Sequence, residues 1–162
     1  MTVTHDLQRL SDLVADIERE LTTESSSYDK TIKQGIIDAK DELAARVRDR
    51  GKGLRGPLSA KPYSDAYEKR KRIKTGGPLR VNFLLSGQLW ASFTAEFERQ
   101  GEKLKGFLFF KGGRNKGGSN AQVARGLHAD RPFFDLLDDE KQIIENAVND
   151  AIEEAFKLSD FD

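Results

Sequence analysis

Three short stretches hold residue types and spacings that could do chemistry. "KGGRNKGGSN", residues 111–120, places Gly112 and Gly117 at the spacing of a phosphate-binding loop. The lysine that must follow to reach the β- and γ-phosphates is missing, because position 118 is glycine. The strand ahead of it also reads as half of a hairpin rather than part of a βαβ unit, so a plain glycine-rich loop is the expectation. "DLLDDE", residues 135–140, gathers Asp135, Asp138, Asp139 and Glu140, enough carboxylates for a divalent cation. Acids are also stabilised where a helix begins, by the positive end of its dipole, and Asp135 or Asp138 suits an N-cap there. No second carboxylate cluster accompanies them, so two-metal hydrolysis lacks its partner set. The only histidines, His5 and His128, lie far apart with no nucleophile beside them. His128, among Arg125, Asp130 and Arg131, reads as a surface or interface residue. Cysteine is absent, which removes thiol nucleophiles, disulfides and zinc knuckles. The expectation is a protein that is not an enzyme and takes no cofactor or metal.

The third stretch, "YEKRKRIKTGG" over residues 67–77, is basic. Lys69, Arg70, Lys71, Arg72 and Lys74 would neutralise phosphates and give strongly salt-dependent binding. On a helix such consecutive charges point in different directions, so they make no reading surface for base edges. An acidic protein surface is an equally good partner, and a solvated face needs none. The formal net charge of zero conceals this asymmetry. Residues 46–80 carry 12 bases and 3 acids, while residues 130–162 carry 11 acids and 3 bases. Opposite poles steer the approach of partners more than they add affinity.

Elements that would position these residues follow from periodicity. Leu7, Leu10, Val14, Ile17 and Leu21 mark an amphipathic helix over 4–22. A second helix is expected over about 29–50, with Ile32, Ile36, Leu43 and Val47 inward. Glycines and three of the four prolines then break the chain into a long basic arm over about 50–78, holding one short helix at about 64–72. All ten phenylalanines come after residue 82, which puts the most specific core in the second half. Ser86 is a candidate cap for a short helix, with Leu85 packing on Trp90. Phe93, Ala95 and Phe97 then alternate with polar residues as a strand, and "LKGFLFF" returns as its hairpin partner. In that return strand Leu108 and Phe110 face one way and Phe107 and Phe109 the other, so something must cover both faces. A C-terminal helix over about 137–157 carries Ile143, Ile144, Ala147, Val148, Ala151, Ile152, Ala155 and Phe156 on a wide apolar face. The expected class is α+β: a small antiparallel sheet packed with a long N-terminal helix pair and a C-terminal helix, with a long basic arm. Residues 1–28 read as an N-terminal helical extension and 29–162 as one domain. No apolar run nears the ~18 residues that cross a bilayer, and the N-terminus lacks the order of a signal peptide, so synthesis in a cytoplasm without membrane contact is expected.

Three features, in this order along the chain, resemble the tail-completion and virion-morphogenesis proteins of tailed bacteriophages. The first is the basic, aromatic "PYSDAYEKRKR" after a long helix. The second is "FLLSGQLWASF", with Leu84, Ser86, Gly87, Leu89, Trp90 and Ser92. The third is an Arg-Pro-Phe-aromatic element, Arg131, Pro132, Phe133 and Phe134, leading into a terminal helix. The resemblance covers about residues 29–157. It departs at the added helix over 4–22 and at the glycine loop over 111–119.

The resemblance implies a structural virion protein that forms a homo-oligomeric ring in the phage neck, completes the tail and joins it to the head connector. Its partners would be copies of itself, the adjoining neck or connector proteins, and the tail-tube or tail-terminator proteins, with non-specific contact to genomic DNA in the channel. Its location would be the virion neck, after assembly in the host cytoplasm. Lys69, Arg70, Lys71, Arg72, Lys74, Phe107 and Phe109 are the expected contacts to subunits or partners. The alternative is a DNA-binding accessory protein that uses the segment 69–74.

Overall fold

The computed structural model describes residues 14–15, 26–60, 64–75, 88–100, 103–114 and 117–157. Of the helix expected over 4–22, only Val14 and Ala15 are described, and both are helical. The described elements are helices α1 (Ser27–Arg48), α2 (Asp65–Thr75), α3 (Gln88–Ala91), α4 (Asn120–Asp130) and α5 (Asp138–Lys157), and strands β1 (Lys52–Gly53), β2 (Gly56–Pro57), β3 (Phe93–Gln100) and β4 (Lys103–Phe110). A 3-10 turn covers Leu58–Ala60. β1 pairs with β2, and β3 with β4. Only residues 101–102 separate β3 from β4, too few for a parallel crossover, so the pair is an antiparallel hairpin. The class is α+β, as the patterning predicts. No described helix is long and apolar enough to cross a membrane.

The chain divides into two compact units. One gathers Met1–Asp38, Glu96–Phe107 and Lys141–Asp162; the other gathers Ala39–Ala95 and Leu108–Glu140.

In the first unit, α1 opens at Ser26, whose Oγ accepts from the Asp29 amide at 3.1 Å, satisfying one of the free N–H groups of the first turn. Ile32 and Ile36 are buried, as their spacing predicts. Ile36 lies on β4 at Gly106, where an added Cβ would sit 2.8 Å from its Cδ1. Along α5 the buried residues are Ala147, Ala151 and Ala155. Their small side chains let α5 approach α1 so closely that a Cβ at Gly35 would overlap that of Ala147. Ser27 and Thr31 both donate to Glu154, at 3.1 and 3.3 Å, and with Gly35 at Ala147 this makes the two helices antiparallel. The wide apolar face expected on α5 is thus split. Its alanine row is covered, while Ile152 and Phe156 remain 38% and 59% exposed. Buried Asp29 takes an ion pair from Arg99 and a second, at 3.4 Å, from Lys33.

The second unit holds the aromatic core. Leu43, Val47, Leu58, Leu89, Trp90, Phe93, Phe110, Ala124 and Phe133 form one buried cluster. Phe93 stacks on Phe110 at 4.8 Å between centroids, and Trp90 meets both rings edge-on at about 6 Å. Such pairs add ~0.5–1.5 kcal/mol each beyond the area they bury. α4 begins with a full capping box, in which Ser119 Oγ accepts from the Gln122 amide and the Gln122 side chain accepts from the Ser119 amide.

Candidate functional site

Of the residues that carry the family resemblance, Leu89, Trp90, Ser92 and Arg131–Phe134 lie in the second unit. Leu89 and Trp90 lie on α3, and Ser92 ends it by donating its hydroxyl to the Leu89 carbonyl at 2.7 Å. The Ser92 carbonyl in turn accepts from the Lys111 amide at 2.8 Å, which ties the α3 end to the β4 end. Phe133 is fully buried, with its ring 6.1 Å from Trp90. Phe134 packs on Phe110 and Phe93 at 5.4 and 5.7 Å. The Pro132 carbonyl accepts from the Leu54 amide at 2.8 Å, and the Arg131 side chain pairs with Asp130. Leu84, Leu85, Ser86 and Gly87 lie outside the described residues.

His128 holds this segment in place. Its Nδ1 accepts from the Phe134 amide at 3.0 Å and from the Phe133 amide at 3.3 Å. Nδ1 thus acts as the acceptor for two successive backbone amides. Beside it, Phe109, Phe110, Ala121, Ala124, Arg125 and Phe134 complete an apolar cavity of about 240 Å³. Phe109 is half-buried there, whereas Phe107, in the first unit, is 46% exposed.

The acidic stretch is consumed by structure. Asp135 accepts from the Leu136 amide at 2.8 Å, and Asp138 opens α5. Glu140 is 1% exposed and pairs with Arg46 at 2.5 Å, while its other oxygen accepts from the Leu137 amide at 2.7 Å. Arg46 also donates to the carbonyls of Lys52, Phe133 and Asp135, so one guanidinium ties β1 to the loop ahead of α5. Sequence reasoning missed this pair, although a signal existed: Arg46 lies three residues after Leu43, on the apolar side of α1. Among the described residues no three His, Cys, Asp or Glu side chains come together as a metal would require.

The glycine loop is closed on itself. Gly112, Gly117 and Gly118 all have positive φ, between 78° and 83°. The amides of Arg114, Gly117 and Asn120 donate to the carbonyls of Gly118, Arg114 and Gly112, so they do not converge on a site for a phosphate.

The basic segment forms α2, the short helix expected in the arm. Lys69, Arg70 and Arg72 are exposed, and the side chains of Lys71 and Lys74 lie outside the described residues. Ile73 is 79% exposed beside them. Tyr67, three residues before Arg70, is half-buried. Burial pushes its phenol above the ordinary 10.0, against the opposing pull of Arg114, Arg131 and Arg70.

No family model, curated protein or solved structure matches this chain.

Proposed function

We propose that this chain is a structural protein of the tailed-phage neck, forming a ring with copies of itself that completes the tail and joins it to the head connector. One observation carries the reading: an aromatic cluster is packed inside the second unit, while large apolar side chains stay at the surface on other elements. Trp90, Phe93, Phe110, Phe133 and Phe134 pack on one another, and Ile73, Phe107 and Ile152 are exposed. Exposed apolar residues on three separate elements suit a chain whose burial is completed by assembly. The resemblance of Leu89, Trp90, Ser92 and Arg131–Phe134 to tail-completion proteins supplies the setting.

The test is negative-stain imaging of virions made without the protein, beside complete ones. Full heads and finished but separate tails are expected. Normally joined particles would overturn the reading. A DNA-binding role, favoured by the exposure of Lys69, Arg70 and Arg72, is the second reading. It requires retention of duplex DNA that falls steeply between low and high salt.

A further inference from the structure

Building on the self-assembling ring proposed above, we propose that the basic face of α2 in one copy docks on the acidic, apolar face of α5 in the next. Both faces end unfinished. On α2, Ile73 is 79% exposed, and Lys69 and Arg70, four and three residues before it, are its neighbours on the helix surface. On α5, Ile152 is 38% exposed although the alanine row beside it is covered. Val148 lies one turn before it and exposed Glu145 two turns before it, with Glu153 at the edge of the same face.

The two faces are complementary in kind and in sign. Each offers a solvent-facing isoleucine, which gains by burial against an apolar partner. α2 carries five bases and two acids over Asp65–Thr75, while α5 carries seven acids and two bases over Asp138–Lys157. Opposite charges around an apolar centre fix register and exclude wrong partners. Nucleic acid is the poorer occupant for α2. An isoleucine amid the basic side chains gains nothing from a phosphate backbone, and Asp65 and Glu68 on the same helix repel it. Because the two faces differ, the contact is head-to-tail, the kind that closes rings or extends filaments.

The absence of cysteine makes a direct test simple. Full-length chains carrying Ile73→Cys and Ile152→Cys are mixed under mild oxidation, with circular dichroism confirming the fold of each. The mixed disulfide between positions 73 and 152 is expected to form faster than either like-with-like product. Lys69→Glu with Arg70→Glu on the first chain should slow it by roughly tenfold. Glu145→Lys with Glu153→Lys on the second should restore it. Equal rates for mixed and like pairs, or indifference to the charge reversals, would overturn the proposal. So would loss of DNA retention on Lys69→Glu with Arg70→Glu while the cross-link rate is unchanged, since α2 would then be a nucleic-acid surface. Virion imaging separates the layers: joined particles without the protein sink the neck role, whereas a failed cross-link sinks only this contact.

Discussion

At the scale of single residues, the buried Arg46–Glu140 pair has the most at stake. Both groups are nearly solvent-free, so neither charge has an alternative partner in water if the other is removed. Arg46→Met should therefore cost about 3–5 kcal/mol, read as a shift in the urea midpoint. Adding Glu140→Leu should recover only part of it. The carbonyls of Lys52, Phe133 and Asp135 and the amide of Leu137 would still have lost their partners. Full recovery would mean that the charge, and not the knot of loop hydrogen bonds, is what matters. Tyr67 makes a pH prediction of definite sign. Its folded phenol lies above 10.0 because of burial, so the native state keeps a proton that the unfolded state has released. The contribution is complete below about pH 10 and is lost as pH rises further through the folded value. The wild type should therefore lose stability relative to Tyr67→Phe above that pH, measured by urea unfolding at stepped pH.

At the scale of elements, the contact between α1 and α5 turns on Gly35. A helical glycine replaced by alanine normally gains ~0.5–1 kcal/mol. Here the new methyl would strike Ala147, and the helices would have to part. Gly35→Ala should thus be destabilising by ~1–3 kcal/mol, a reversal of the usual sign, visible as a lower thermal midpoint. A gain would show that the helices separate without cost. This contact also marks where the sequence stops being legible. The spacing of Ile32, Ile36, Leu43 and Val47 predicts the inner side of α1, and the alternation after Phe93 predicts β3 and its hairpin. Periodicity can rank the faces of α5 by hydrophobicity, but close approach selects small residues, so alanine was buried while Ile152 stayed out. The pairing of Arg46 with Glu140 and the backbone contacts of His128 were not legible for a similar reason. Their roles come from backbone groups brought in by distant loops, which no local spacing encodes. Residues 69–74 were legible as a basic helix, but the exposure of Ile73 among them was not.

At the scale of the whole molecule, the two units are held by different kinds of packing. The second contains nine buried hydrophobic residues in one cluster, six of them aliphatic or aromatic residues from Leu43 to Phe93 in chain order, with Phe110 and Phe133 closing it. Among its described residues, the first buries Ile32, Ile36, three alanines and a carboxylate held by Arg99 and Lys33. Apolar area is the main source of local stability, so regions that bury less of it open more often. Backbone amides of α5 from 143 to 157 should exchange with solvent deuterium faster than those of α4 and of β4 from 108 to 110. Trp90, the single tryptophan, is buried in the aromatic cluster and gives an independent readout. Its fluorescence should change at higher urea than the helical circular dichroism signal, because α5 and the first part of α1 contribute to the latter but not to the former. Coincident transitions with uniform exchange would mean that α1 and the hairpin, which run through both units, couple them into one cooperative whole. A lagging fluorescence transition would fit a chain whose first unit gains its final stability only when a neighbouring copy covers Ile152.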